Sequence, residues 1–227
     1  MKRILAINPN TTQSITDLVA KHLRATVSKD IEIAPATGAF GSPYISTEAA
    51  YAVAGHAALD CLQRNPGCDA VLLACFGDPG LFALREAADV PVVGLAEACM
   101  QEAAGRPGSF SIVTGGRRWP AMLERLAREL GFAARLASIR PIELTGGQVF
   151  EAPDRAIGLL AAECRAAREA DGAAVVILGG AGLAGLAERV ARESGVEIID
   201  SVAAGGRVAE ALARSGKAHY SRIPPEV

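Results

Sequence analysis

Apolar residues along this chain fall into short runs, and between the runs they return every third or fourth position. The runs Arg3–Ile7, Ile31–Ala34, Ala70–Ala74, Pro91–Gly94, Phe110–Thr114, Ala173–Leu178 and Glu197–Ile199 are rich in Val, Ile and Leu and end on Gly, Pro or Asn. That pattern predicts strands buried on both faces. The stretches Thr12–Val27, Thr47–Arg64, Gly80–Ala88, Pro120–Leu130, Asp154–Ala170, Leu183–Glu193 and Val202–Arg214 carry helical periodicity. In one of them Leu123, Leu126, Ala127 and Leu130 share a face, while Glu124, Arg125, Arg128 and Glu129 lie opposite. Strands alternating with helices predict an α/β fold with parallel sheets.

The pattern repeats. Val71–Leu81 lines up with Val176–Leu186, placing Gly77, Gly80 and Leu81 on Gly182, Gly185 and Leu186. At nearly the same offset Ile4–Asn10 lines up with Phe110–Gly116. The chain is therefore expected to form two pseudo-symmetric Rossmann-like lobes facing each other across an active-site cleft. The first comprises residues 1–97 plus 201–227 and the second residues 98–200. The repeated turns lie at strand C-terminal ends, where open α/β sheets bind ligands.

Composition narrows the function. The 227 residues are half hydrophobic, with 23 Lys and Arg against 25 Asp and Glu. A net charge of −2 and 4% aromatic residues leave neither a basic stripe nor stacking platforms, so no nucleic-acid partner is expected. No apolar run reaches the ~20 residues of a membrane span, so no membrane partner is expected. The apolar stretch after Lys2 and Arg3 is too short for a signal-peptide core. Five cysteines without a CxxC pair argue against a disulfide scaffold or a zinc site, and favour a reducing cytoplasm. His22, His56 and His219 stand apart and form no metal-ligand set, so no metal is expected.

Candidate chemistry sits in the repeated turns. In Asn8-Pro9-Asn10-Thr11-Thr12, Pro9 stiffens the turn and Thr11 or Thr12 is placed to cap the next helix. The same amides and hydroxyls suit a carbonyl or carboxylate. Cys75 ends a strand just before a predicted helix, a setting that lowers a thiol pKa from about 8.5 into the range of roughly 3.5–7.5. A thiolate there abstracts a proton or attacks carbon; a buried Cys75 with an ordinary thiol would instead be packing. Cys61, Cys68, Cys99 and Cys164 are read as structural residues within helical segments. In Thr114-Gly115-Gly116-Arg117-Arg118 the glycines let amides approach a ligand, and either Arg is placed to meet an anion or simply to be solvated. Gly180-Ala181-Gly182-Leu183-Ala184-Gly185 with Asp200 superficially matches a dinucleotide fingerprint. Too little chain follows Asp200 to complete such a fold, so no dinucleotide cofactor is expected.

Taken in order, Ile7-Asn8-Pro9-Asn10-Thr11-Thr12, Ala36-Thr37-Gly38, Tyr44-Ile45-Ser46, Ala74-Cys75-Phe76-Gly77-Asp78-Pro79-Gly80-Leu81, Leu84-Arg85-Glu86, Pro91-Val92-Val93-Gly94, Glu97-Ala98 and Leu178-Gly179-Gly180-Ala181-Gly182 resemble the aspartate/glutamate racemase superfamily, and most closely its hydantoin and allantoin racemase branch. The resemblance implies two α/β lobes with the site between them, no cofactor, a small-molecule substrate and self-association. It implies two cysteines flanking an acidic carbon. Cys75 matches the first; Gly180 stands where the second is expected. It further implies that Asn8, Asn10, Thr12, Ile45, Phe76, Gly77, Thr114, Gly115, Gly116, Gly180, Ala181 and Gly182 surround the substrate. A hydantoin racemase-like isomerase using Cys75 is the leading expectation. The alternatives are a single-cysteine decarboxylase of the arylmalonate type, a Cys75 covalent nucleophile in a cis-trans isomerase or amide hydrolase, and a small-molecule binder without turnover, in which Cys75 would be unperturbed or buried. Gly180 is also expected to leave room for a bulkier substituent.

Overall fold

The computed structural model describes residues 1–216. The rest of the proposed first-lobe tail, with His219, lies outside them. Strands β1 (Lys2–Asn8), β2 (Ile31–Thr37), β3 (Ala70–Leu73) and β4 (Val92–Gly94) form a sheet in the order β2-β1-β3-β4. Strands β5 (Phe110–Gly115), β6 (Leu136–Ile142), β7 (Val175–Gly179) and β8 (Ile198–Asp200) form a second in the order β6-β5-β7-β8. Every pairing is parallel. The two sheets therefore share one topology, and the α/β fold with two similar lobes stands as read from the pattern.

The central strands are continuous apolar runs because helices cover both faces. Every residue of β3 and of β7 is buried. Each Leu or Ile taken fully out of water there contributes about 1.5–3 kcal/mol. Helices α1 (Gln13–Thr26), α2 (Glu48–Arg64), α3 (Leu81–Ala87) and α4 (Leu95–Ala104) alternate with the first sheet. The second sheet alternates with α5 (Trp119–Glu129), α6 (Gly146–Glu151), α7 (Pro153–Glu169) and α8 (Ala187–Ser194). Helix α9 (Ser201–Ser215) leaves the second sheet and packs on α1, α4, β1 and β3.

The repeat is structural as well as sequential. Ile7 pairs with Leu73, and Thr114 with Gly179. Carrying the first register on by one residue sets Ala74 beside Asn8, as Gly179 lies beside Thr114. Cys75 and Gly180 are the next residues, so they hold equivalent places in the two lobes. Gly80 and Gly185, matched by the repeat, both take left-handed φ, +83° and +81°.

Three elements escaped the hydrophobic pattern. Strand β6 is a half-exposed edge carrying Arg140 and Pro141, so no buried run marks it. Helix α4 buries Leu95 through Met100 on every face and shows no amphipathic period. Helix α6 is a short turn between β6 and α7. The helix expected over Leu183–Glu193 is instead a 3-10 turn at Ala181–Leu183 followed by α8, because the left-handed Gly185 interrupts it. Cys68 lies not in a helix but in the connection before β3.

Candidate active site

The strand ends of the two sheets meet around a small cavity of about 70 Å³. From the first lobe Asn10, Ile15, Tyr44, Ile45, Ser46, Cys75 and Phe76 line it. From the second come Thr114, Gly115, Gly116, Trp119, Thr145, Gly146, Gly180, Ala181, Gly182 and Leu183. Of the five cysteines, Cys75 alone reaches this wall. Asn8, Thr12 and Gly77, expected at the substrate, do not line it.

Asn8 is buried and serves as a strut. Its Nδ2 donates to Asn10 Oδ1 at 2.9 Å and to Thr16 Oγ1 at 3.0 Å. Asn10 Oδ1 also accepts from Thr12 N at 2.9 Å. With that oxygen taken twice, the Nδ2 of Asn10 is left as the group to meet a ligand. Thr12 holds the N-cap position of α1 without a side-chain cap; its hydroxyl instead donates to Pro43 O at 2.7 Å. That bond ties the Tyr44-Ile45-Ser46 loop to the first turn.

The lobes interlock through glycines. A Cβ placed on Gly77 would lie 2.4 Å from Trp119 Cζ3, and one on Gly179 would lie 2.3 Å from Phe76 Cε1. Each lobe thus seats an aromatic ring on a bare glycine of the other, next to Cys75 and Gly180. Tyr51 Oη donates to Gly77 O at 2.8 Å, and Arg125 pairs with Glu48 across the lobes at 2.6 Å. Among the described residues, the amides of Phe76, Gly77, Ala181 and Gly182 meet no backbone carbonyl. Those of Phe76, Ala181 and Gly182 belong to residues that line the cavity. The Gly116 amide, counted among candidate donors, is already bonded to Ile142 O at 3.1 Å.

Cys75 is only 7% exposed. Burial, and then the neighbouring Asp78 carboxylate, push its thiol well above the ordinary range. The expected lowering does not occur. Helix α3 starts six residues later, at Leu81, and the nearest charge is negative. Asp78 is buried with φ +52°, the one non-glycine left-handed residue described. Its carboxylate accepts from Ala96 N at 2.9 Å and Glu97 N at 2.8 Å, at the first turn of α4. Burial nevertheless outweighs those bonds and raises its pKa to about 7. Beneath it Glu97 forms a buried pair with Arg85 at 2.5 Å. The Cys75 turn is therefore moored through Asp78 to α4 and through Glu97 to α3.

Gly180 has φ +145°, a conformation disfavoured for any L side chain. A Cβ there would lie 2.9 Å from Leu183 Cδ1. A leucine methyl thus stands beside Gly180 in the cavity wall. Asp200 accepts from Ala203 N at 2.9 Å and caps α9. Gly185 lies against the His22 ring. Arg117 is paired with Glu143 on the surface at 2.5 Å.

Ile15, Tyr44, Ser46, Trp119, Thr145, Gly146 and Leu183 were not singled out as site residues from the sequence. Tyr44 and Ser46 flank Ile45 in the quoted motif, and Trp119 follows the Gly-rich turn, so a signal existed. Thr145 and Gly146 follow the unrecognised strand β6 and gave none.

Two copies of one parallel sheet meet at their strand ends around a cavity that a thiol lines, the architecture of a two-lobed α/β protein. The family model Asp/Glu/Hydantoin racemase matches residues 4–209, and the chain belongs to that family. It is 37% identical to hydantoin racemase of Paenarthrobacter aurescens, over 99% of this chain and 98% of that one. Allantoin racemase from Pseudomonas fluorescens superposes with TM-score 0.94 at 33% identity, over 98% of this chain and 94% of that one. A double mutant of arylmalonate decarboxylase shares the fold, with TM-score 0.69 at 22% identity over 96% and 94%. The two racemases are isomerases, and this chain is an enzyme of their kind. Among the described residues no helix is long and apolar enough to cross a membrane.

Proposed function

We propose that this enzyme moves a proton at the acidic carbon of a small hydantoin or ureido compound, with Cys75 as the group that takes and returns it. One observation carries the reading: Cys75 is the cysteine in the cavity wall of a chain whose relatives are named hydantoin and allantoin racemases. Burial of Cys75 by itself fits a silent binder equally well. Family membership and the thiol's place at the cavity favour turnover.

The chemistry follows from the wall. Asn10, Thr114, Phe76, Ala181 and Gly182 line the cavity, and the Asn10 amide, the Thr114 hydroxyl and the backbone amides of the other three are the donors assigned to the carbonyl next to the acidic carbon. Charge that develops on that oxygen meets fixed donors, each worth about 2.7–4 kcal/mol in comparable oxyanion sites. Cys75 removes the proton as thiolate, the electron pair moves onto the oxygen, and the thiol returns a proton to the same face. Free thiols throughout fit a reducing cytoplasm.

A cavity of about 70 Å³ is far below the roughly 300–1,000 Å³ of drug-sized sites. It suits a single small ring with a short substituent. Proton NMR in D₂O with allantoin, 5-substituted hydantoins and substituted malonates, read together with chirality, tests the reading. Loss of the α-proton signal that Cys75→Ala abolishes supports it. Undiminished exchange in Cys75→Ala removes Cys75 from the reaction.

A decarboxylase reading is favoured by one feature, the Gly180–Leu183 wall, which presents glycine and hydrocarbon at the place equivalent to Cys75. Protonation from one side alone would turn a substituted malonate into a single enantiomer with release of carbon dioxide. The malonate arm of the same experiment decides this.

A further inference from the structure

Inversion at carbon needs a proton group on each face of the substrate. The place equivalent to Cys75 in the second lobe is Gly180, backed by Leu183. Among the residues lining the cavity, Cys75 and Tyr44 are the two with titratable side chains. Tyr44 arises from the first lobe, between β2 and α2, yet its ring lies on the second. A Cβ on Gly147 would stand 2.4 Å from Tyr44 Cζ. The neighbouring Gly146 carbonyl oxygen sits 2.5 Å from the corresponding point on Gly182. The phenol therefore lies against α6, and α6 lies against the Gly180–Leu183 turn. No described residue hydrogen-bonds to the Tyr44 hydroxyl.

We propose that Tyr44 is the proton donor and acceptor on the face opposite Cys75. The assignment rests on the proton-transfer reading of Cys75. Tyrosine serves as a general acid or base in enzyme sites. The aliphatic hydroxyls of Ser46 and Thr114 are far weaker acids and suit hydrogen bonding to the oxyanion. The Thr145 hydroxyl is engaged with Gln148 at the start of α6. In one direction the Cys75 thiolate takes the α-proton and its electron pair moves onto the carbonyl oxygen. That pair then returns to carbon and takes the proton of the Tyr44 hydroxyl on the other face. The products are the inverted substrate, a Cys75 thiol and a Tyr44 phenolate. The opposite enantiomer runs the same steps backwards, and exchange with water resets the pair between turnovers.

The test uses the full chain and one enantiomer of 5-methylhydantoin in D₂O, with the enzyme-free rate subtracted. Wild type is expected to exchange the α-proton and invert. Tyr44→Phe is expected to keep exchange with retention, through Cys75, while inversion falls by roughly 10²-fold or more. Tyr44→Leu, which still covers Gly147 with hydrocarbon, repeats that split if the Phe variant folds poorly by its melting temperature. Three outcomes overturn Tyr44 and leave Cys75 standing: undiminished inversion in both variants, equal loss of exchange and inversion in variants that melt like wild type, or wild-type exchange with retention alone. No exchange in wild type on any of the hydantoins would overturn the Cys75 reading, and the role of Tyr44 with it.

Discussion

The carboxylate of Asp78 occupies the space that any side chain at Gly94 would need. A Cβ on Gly94 would lie 2.1 Å from Asp78 Oδ2. The contact joins the Cys75 turn to the entry of α4, so a change at either residue reaches the thiol. Gly94→Ala is expected to destabilise by about 1–3 kcal/mol through overpacking. Asp78→Ala leaves two buried amides, of Ala96 and Glu97, without an acceptor and is expected to cost about 2–4 kcal/mol. Denaturant unfolding measures both, and unchanged midpoints would refute the mooring.

Stability should fall as pH rises towards neutrality. Asp78 has its carboxyl pKa raised from 3.8 to about 7 in the folded chain, so the folded state binds this proton more tightly than the unfolded one. The contribution is complete below about pH 4 and is lost as pH rises through about 7, with a slope of at most about 1.4 kcal/mol per pH unit. Melting curves between pH 5 and 8 should show the decline, and Asp78→Asn should flatten it. A wild-type midpoint rising across that window would contradict the assignment.

Cys75 should behave as a reluctant thiol. Burial and Asp78 both hold its proton, so the thiolate grows with pH across and beyond the ordinary cysteine range. Alkylation at Cys75, mapped by mass spectrometry, is expected to be slow at pH 7 and to rise about tenfold per pH unit through pH 9. Proton exchange from substrate should rise with it, because the thiolate is the base. A plateau below pH 8 would contradict a raised thiol pKa.

Gly180→Cys should be costly. A residue with φ near +145° carries about 1–3 kcal/mol of backbone strain for any side chain. The new Cβ also meets Leu183 Cδ1. Adding Leu183→Ala should relieve the overlap and leave the backbone term, so the double variant should melt between wild type and Gly180→Cys after correction for Leu183→Ala alone. Full recovery would show that the backbone turns over without strain.

Gly179→Ala should impair catalysis from the opposite lobe. Its Cβ would enter the Phe76 ring, one residue from Cys75. Activity is expected to fall by at least tenfold, and Phe76→Leu in the same chain should restore part of it. Independent, additive losses would mean that the ring contact does not position the thiol.

Sequence by itself determined the α/β class, the parallel sheets, the doubled turns and the thiol at a strand end. Each is a local matter: a run buried on both faces, a helical period, a glycine where φ is positive. The repeat by itself gives Cys75 and Gly180 equivalent positions in the two halves. Strand β6 and helix α4 stayed hidden because their burial is decided by neighbours distant in sequence, not by their own period. Tertiary structure alone placed Tyr44 on the second lobe, set a Leu183 methyl beside Gly180, and buried Cys75 and Asp78. A thiol's acidity and a cavity's shape depend on which groups arrive from elsewhere in the chain. Helix order along the sequence suggested a lowered thiol pKa, and burial of Cys75, with the Asp78 carboxylate adding to it, reversed it.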